Sequence, residues 1–406
     1  MRLLPALLIA MLFPACSEQA TQPDEPTPIR QLTAGERQIS RSTSAFGWGL
    51  YATVANAKPD ANIVLSPLSA SLALGMTMNG ADGETWSQMR DALRHGTLAQ
   101  GDINTGYRGL MDVLKSMDPR VTTTIANSVW TRQGFSVLPD FISTLKTSFD
   151  AEARNLDFDR ADAAGIINDW VKTHTGGKIP SIIDPPISPE MVMYLINAVY
   201  FKGQWKHKFD AKNTRDAEFT DIRGVKKTVP MMARKAKVRY LETMLYTVAD
   251  LPYGWDRYRM AVLVPKNVET LRMLESSLGE AEFATGILEN MVETDVEVQI
   301  PRFTLEDDHN LNTTLEAMGM PRAFQPGVAE FTRINPEGGL YISSVRQKTF
   351  IAVDEEGTEA AAATSVGVGV VSVPPTLRAD RPFIFVIHEV NTGAILFIGR
   401  VASIGN

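Results

Sequence analysis

Five histidines and two pairs of adjacent acidic residues are the side chains of this chain best suited to acid–base or metal chemistry. The histidines lack the short spacing of metal ligands, and acidic pairs such as Asp307-Asp308 and Glu355-Glu356 are common on solvated surfaces. No G-x-S-x-G, H-E-x-x-H, C-x-x-C or phosphate-loop motif is present. The sequence therefore predicts no enzyme, no metal site and no cofactor. The histidines are His95, His174, His207, His309 and His388.

The most informative segment is residues 355–375, EEGTEAAAATSVGVGVVSVPP. With a period of two, the face that begins at Thr358 is uncharged, and the opposite face carries the only charge, Glu359. That pattern is typical of a strand with one or both faces buried, and Pro374-Pro375 would end it. Small residues and glycines also keep such a segment soluble as a loop. The pattern therefore predicts a loop that can become a strand.

An alanine-rich helix is the alternative structure for the same segment. The run AAAAT at 360–364 favours a helix. The run VGVGVV at 366–371 disfavours it, because glycine is costly inside a helix and valine is stiff.

Composition limits the class of protein. The chain has 406 residues, of which 44% are hydrophobic and 21% charged, enough for one large or two small globular domains. Its net charge of −7 argues against non-specific nucleic-acid binding, so no nucleic-acid partner is expected. Cys16 is the only cysteine, which excludes an intrachain disulfide.

The N-terminus predicts export. Residues 1–15 carry a basic residue, Arg2, near their start and continue as an apolar run. They resemble a bacterial lipoprotein signal in which Cys16 would be lipidated. Residues 16–39 are polar and proline-containing, which predicts a disordered tether to a membrane. Ser17 after the cysteine favours the outer membrane after secretion across the inner one. Plain secretion to the exterior, with an incidental cysteine, is the alternative.

The remaining residues, 40–406, predict one α+β domain. Helices are expected mainly in the first half and strands in the second, the arrangement of helices grouped against large sheets. Helices are predicted at 42–56, 71–78, 85–93, 161–174, 271–278 and 280–289. Strands are predicted at 122–130, 193–201, 229–241, 247–251, 260–264, 296–305, 340–353, 383–388 and 395–400.

A basic cluster lies within the predicted strand region between residues 223 and 239. Charged edges of a hairpin would explain it, since such charges discourage edge pairing. A polyanion-binding patch is the alternative. The cluster comprises Arg223, Lys226, Lys227, Arg234, Lys235, Lys237 and Arg239.

Several segments together resemble one family. EEGTEAAAAT closely resembles the hinge of inhibitory serpins, and the resemblance extends over residues 40–403. Further matching segments follow in register: NIVLSPLSASLALGMTMNGADGET at 62–85, NAVYFKGQW at 197–205, TVPMM at 228–232, IPRFTL at 300–305 and RPFIFVIHEVNTGAILFIGRV at 381–401.

The resemblance implies a fold of about nine helices on three β-sheets, with an exposed reactive-centre loop. It also implies suicide inhibition, in which a protease cuts the loop, forms an acyl-enzyme and is carried along as residues 358–371 insert into the main sheet. The hinge would comprise Glu355, Glu356, Gly357, Thr358, Glu359, Ala360, Ala361, Ala362, Ala363 and Thr364.

The bond to be cut follows from the resemblance by counting. Fourteen residues beyond Gly357 the count gives Val371–Ser372. If the count slips by one, the bond is Val370–Val371, and the residue before the cut is still valine. A small β-branched residue before the bond suits a shallow apolar pocket, so elastase-like serine proteases are the expected targets, with a cysteine protease as an alternative. The protein is expected to be a monomer. A non-inhibitory binding protein on the same fold is the rival, although such relatives carry bulky, charged or proline residues in the hinge.

The resemblance also assigns residues that control opening of the main sheet. Three match the shutter, and Gln347 stands where a histidine is usual, so a histidine-based pH response is in doubt there. Trp205 and the pair Arg302–Glu355 match the top of the sheet, called the breach. The shutter positions are Ser66, Ser69, Asn197 and Gln347.

Overall fold

The structure is a computed structural model that describes residues 30–358 and 374–405. The helices within those ranges lie mostly in the first half of the chain, as predicted. No described helix is long and apolar enough to span a bilayer. The helices are α1 (Ala34–Ala57), α2 (Pro67–Met78), α3 (Gly83–Ala92), α4 (Gln100–Ser116), α5 (Pro139–Phe149), α6 (Ala163–His174), α7 (Val268–Leu278), α8 (Ala281–Glu289) and α9 (Asn312–Ala317).

Strands dominate the second half. Several are buried along their whole length, including the last two, so their sequences are almost continuously apolar. The strands are β1 (Ile63–Leu65), β2 (Val121–Arg132), β3 (Ala151–Leu156), β4 (Met193–Gln204), β5 (Arg215–Thr220), β6 (Lys226–Glu242), β7 (Tyr246–Pro252), β8 (Tyr258–Pro265), β9 (Val292–Pro301), β10 (Phe303–Asn310), β11 (Arg346–Val353), β12 (Gly357–Thr358), β13 (Thr376–Arg378), β14 (Phe383–Glu389) and β15 (Ile395–Val401).

The described strands form two hydrogen-bonded sheets. The main sheet has the order β10-β11-β12-β4-β2-β3, and the second runs β1-β15-β14-β8-β7-β6-β9-β13 with β5 also paired to β6. The long strand β6 pairs with β5 near its start and with β7 near its end. It therefore joins what the resemblance describes as two separate sheets into one continuous network.

The main core lies between the two sheets. Helix α2 carries buried Leu68, Leu72 and Met76 and packs against both β4 and β15. On the other face of the main sheet, α6 buries Ile167 and Trp170 in a smaller cluster. The main sheet is thus covered on both faces, and strands can move within it only by sliding against packed side chains.

The first helix begins earlier than predicted. Thr33 and Glu36 form a capping box, which starts α1 at Ala34, and Ile39 is fully buried. Arg30 donates two hydrogen bonds of 2.8 Å to the Glu36 carboxylate. The expected boundary of the tether at residue 39 was therefore wrong, because residues 34–39 already belong to the folded domain.

Two strand predictions merged or overran real elements. The segment 296–305 is not one strand but the end of β9 and the start of β10, which Arg302 separates. The segment 340–353 becomes strand only from Arg346. In both cases apolar and β-branched residues stand on both sides of the strand boundary, so the sequence pattern did not show it.

Helix α4 was not predicted, because its three glycines lower helix propensity. Two of them serve packing. A side chain at Gly106 would meet Ile39, and one at Gly109 would meet Glu36, both on α1. The glycines therefore let α1 and α4 approach closely, a tertiary reason that local sequence does not reveal.

We predict that residues 30–39 stabilise the domain. A chain that starts at Ser40 should lose about 3 kcal/mol or more of folding free energy relative to one that starts at Arg30, since the cap contributes about 1 kcal/mol and the buried Ile39 about 2–3 kcal/mol. Thermal and urea unfolding of the two chains would measure the difference. Equal unfolding midpoints would contradict the assignment of these residues to the fold.

Candidate functional site

The predicted hinge enters the main sheet as a strand of only two residues. Strand β12, Gly357–Thr358, pairs with β11 at Val353 and with β4 at Gly203 and Gln204. Beyond these pairs, β4 and β11 share no register pair in the part of the chain that the structure describes. They run parallel on either side of a gap, called the slot here, that an antiparallel strand could fill.

The slot is lined by side chains of both strands and closed at one end by the hinge. Val199 and Phe201 come from β4, Phe350 and Ile351 come from β11, and Thr358 closes the end. This lining is mainly apolar. A segment of small uncharged residues is the kind of strand that such a slot could accept.

Gly357 is required by close approach as well as by backbone conformation. Its backbone φ is +151°, a value that residues with a Cβ rarely adopt. In addition, an added Cβ would lie 2.1 Å from the carbonyl oxygen of Gly203. Sequence analysis placed this glycine in the hinge without identifying this contact. Its position against β4 shows that any larger residue would push β12 out of the sheet.

An aromatic stack holds the hinge from below. The Thr358 hydroxyl lies 2.8 Å from the hydroxyl of Tyr253, whose ring stacks on Trp205 at 4.3 Å and 11°. The Trp205 indole N–H donates to the carbonyl of Asp354 at 2.9 Å, and its backbone N–H donates to the carbonyl of Glu356. Trp205 therefore fixes both the turn and the strand of the hinge.

A buried carboxylate fastens the turn before the hinge. Arg302 donates two hydrogen bonds to Glu355, of 2.6 and 2.7 Å, and the Thr214 hydroxyl donates a third. Burial alone would raise the pKa of Glu355, but the hydrogen bonds from Arg302 and Thr214 outweigh it and hold that pKa below its usual value. The pair links the residue just before β10 to the turn just after β11, on the β11 side of the slot.

Sequence analysis missed Tyr253, Thr214 and Asp354. Asp354 accepts the N–H groups of Glu356 and Gly357, a turn that the pattern D-x-x-G could have indicated. Burial raises the pKa of Asp354. Tyr253 and Thr214 had no local signal, because they reach the hinge from distant parts of the chain.

Comparison with known proteins shows which family the chain belongs to. The model described as Serpin (serine protease inhibitor) matches residues 41–404. The leukocyte elastase inhibitor of Equus caballus is 34% identical over 379 residues, which cover 90% of this chain and 99% of that protein. The chain belongs to the serpin family. Its membership supports protease inhibition as its general activity.

Solved serpins share the fold over nearly the whole chain. The native thermophilic serpin tengpin is similar with a TM-score of 0.82 and 33% identity, covering 94% of this chain and 97% of that one. Human thyroxine-binding globulin is similar with a TM-score of 0.81 and 27% identity, covering 92% of this chain and 100% of that one. The predicted α+β serpin fold is confirmed.

The residues predicted to form the shutter lie together at the N-terminus of α2. The Gln347 amide accepts the N–H of Ser66 at 3.0 Å and donates to the carbonyl of Ser66 at 2.8 Å. The Ser66 hydroxyl donates to Leu396 on β15. At the position where serpins usually carry histidine, a neutral amide thus ties β11 to the start of α2.

The other side of the slot is held by the same helix turn. The Ser69 hydroxyl donates to the carbonyl of Asn197 on β4 at 3.4 Å, and the Asn197 amide donates to Asn127 on β2 at 2.7 Å. The six predicted residues therefore form two clusters, the shutter at α2 and the breach around Trp205 and Arg302. Eight residues of extended chain separate Asn197 from Trp205, about 26 Å.

Some predicted positions lie outside the described residues. They are the reactive bond Val371–Ser372, the hinge positions 359–364 and Cys16. Within the described part, Thr358 is the last hinge residue and is 3% exposed.

The basic cluster does not form one surface patch. Arg234 is buried, with its guanidinium 4.7 Å above the ring of Phe209. Lys226 and Lys237 pair with Glu218 and Glu293. Alternate residues of a strand point to opposite faces, which separates charges that are adjacent in sequence. The hairpin interpretation therefore fits the exposed lysines, whereas Arg234 was wrongly placed on the surface.

We predict that Glu355→Gln destabilises this serpin in a pH-dependent way. The loss should be about 1–2 kcal/mol near neutral pH, less than for a fully buried pair because Arg302 is half exposed. The folded pKa of Glu355 lies below its ordinary value of 4.5. Its stabilisation is therefore fully present above pH 4.5 and is lost as the pH falls through the folded pKa.

Denaturant unfolding of both proteins across this pH range measures the effect. The quantity to compare is the difference in unfolding free energy between wild type and variant at each pH. Both proteins contain Asp354, so the opposite pH dependence that its raised pKa contributes cancels in this difference. A difference that stays constant as the solution is acidified would contradict the ion-pair assignment.

Proposed function

We propose that this serpin is a suicide inhibitor of serine proteases. The observation that carries the proposal is β12, a two-residue strand that already pairs with β11 on one side and β4 on the other, at one end of the slot. The next residues in the chain continue directly from β12. After cleavage, the strand could therefore lengthen by adding one residue at a time to an existing antiparallel register.

The proposed chemistry uses the protease as catalyst and this chain as substrate. The protease serine attacks the carbonyl carbon of Val371, the bond to Ser372 breaks, and the new amino group of Ser372 leaves with one proton. An ester then joins Val371 to the protease. Insertion of residues 358–371, which span about 46 Å as a strand, would carry the protease along the sheet before water cleaves the ester.

Elastase-like proteases are the proposed targets. A valine side chain before the cut fills a shallow apolar pocket but cannot reach an acidic group at the base of a deep one. The similarity to leukocyte elastase inhibitors supports the same class of target. A cysteine protease remains the second target class, since it also forms an acyl-enzyme.

The same proposal places the protein outside the inner membrane of a bacterium, tethered by a lipid on Cys16. The support is the pattern of residues 1–16, in which an apolar run ends at the only cysteine of the chain. The folded domain begins with α1 at Ala34. Residues 17–33 would then connect the lipid to the inhibitor.

We predict a covalent complex with an elastase. Mixing the protein that starts at Arg30 with pancreatic elastase should give a band that survives denaturing electrophoresis and a released peptide that begins at Ser372. Intact-mass analysis identifies both. As a control, Val371→Arg should transfer complex formation from elastase to trypsin.

The other outcomes are equally informative. Cleavage after Val371 without a complex, with either protease, would contradict the suicide mechanism. An intact loop after exposure to a panel of serine and cysteine proteases would favour the rival, a binding protein on the same fold, of which thyroxine-binding globulin is a structural neighbour.

We predict that Thr358→Arg converts the inhibitor into a substrate. Thr358 is buried against Tyr253, and an unpaired guanidinium there costs several kcal/mol, so complex formation should fall at least about tenfold while cleavage continues. Thr358→Ser, which retains the hydroxyl, is the matched control and should remain an inhibitor. Full inhibition by the arginine variant would argue against insertion through β12.

We predict that Cys16→Ala releases the full chain from membranes. Without the thiol no lipid can be attached, so the protein should move from the membrane to the soluble fraction in a bacterial host. Fractionation and immunoblotting measure the shift. An unchanged distribution would rule out the lipid anchor without affecting the proposal for inhibition.

A further inference from the structure

Lys58, at the end of α1, has an unusual hydrogen-bond partner. Its Nζ lies 3.0 Å from Nδ1 of His309, whereas several other exposed lysines contact carboxylates. An ammonium group can only donate, so Nδ1 of His309 must carry the accepting lone pair. The lysines that pair with carboxylates include Lys115, Lys206, Lys226, Lys237 and Lys266.

A carboxylate orients the imidazole from its other side. Nε2 of His309 lies 2.6 Å from Oδ2 of Asp307, which also accepts the backbone N–H of Val64 at 2.9 Å. His309 is 2% exposed and cannot turn to water. Asp307 therefore fixes the tautomer with the proton on Nε2 and leaves Nδ1 as a base towards Lys58.

The surroundings hold the lysine backbone and leave its side chain exposed. Arg400 donates to the carbonyls of Lys58 and Ala61 and is neutralised by the buried Glu275. Asp60, the nearest acidic residue along the chain, pairs with Arg272 at 3.3 Å. Lys58 itself is exposed.

We propose that Lys58 is a site of covalent modification by small aldehydes. A nucleophile, a base within hydrogen-bond reach and a third group that orients the base are the general arrangement of an activated side chain. The class of ligand follows from the nucleophile, since amines condense reversibly with aldehydes. This proposal is independent of protease inhibition.

The step balances with the groups present. Nδ1 of His309 takes one proton from the Lys58 ammonium, and the freed lone pair attacks the aldehyde carbon. The carbonyl oxygen recovers that proton from the imidazolium, giving a carbinolamine. Loss of water then leaves a Schiff base, so a C=N bond replaces the C=O bond without oxidation or reduction.

Glyceraldehyde is the probe for the test, with cyanoborohydride to reduce each Schiff base as it forms. Peptide mapping by mass spectrometry would compare Lys58 with Lys226 and Lys237 in the same molecules. The side chains of those two are 65% and 63% exposed, so both are readily accessible to the aldehyde. We expect Lys58 to react at least about tenfold faster, which is less than the roughly hundredfold or more that general acid–base catalysis typically contributes.

Two variants separate activation from mere exposure. His309→Gln removes the base and should lower the Lys58 rate to that of Lys226. Asp307→Asn, which changes only the positioning residue, should lower it part of the way, and Asp307→Glu should restore some of it. Thermal unfolding checks that each variant is folded, and the rate relative to Lys226 corrects for general loosening. Equal rates at all three lysines, or a folded His309→Gln variant with unchanged Lys58 reactivity, would overturn the proposal.

Discussion

The interruption of the main sheet between β4 and β11 is the constraint on which the rest of the structure depends. A sheet normally satisfies the backbone groups of its inner strands by pairing, yet among the residues that the structure describes these two strands are joined only through Gly357 and Thr358. The described structure therefore contains a place for one more strand. At the hinge, β12 already pairs with both sides of this place.

Different kinds of interaction hold the slot at two places along its length. At the breach, the charged pair of Arg302 and Glu355 and the stack of Trp205 on Tyr253 fasten the turn and the hinge. At the shutter, neutral hydrogen bonds from Gln347 and Ser69 tie both strands to one turn of α2. Helix α2 is buried between the sheets, so opening the slot requires repacking of the core as well as breaking hydrogen bonds.

Much of this architecture could be predicted from sequence, because long buried strands and capped helices leave local patterns. The breach tryptophan and the hinge were located because whole segments resembled a family. The stack of Tyr253 beneath Thr358 could not be predicted, since it depends on chain segments brought together by the fold. Helix α4 could not be predicted for a similar reason, because the glycines that weaken its helical pattern are explained only by its close packing against α1. The loop itself lies outside the described residues.

The amide of Gln347 has a consequence for how the contact between β11 and α2 responds to pH. An amide neither gains nor loses a proton across the range that living systems meet, so the grip on Ser66 is the same in acidic and alkaline surroundings. A histidine in that place would link the release of the central strands to local acidity. In this molecule the contact that ties β11 to α2 is therefore insensitive to acid.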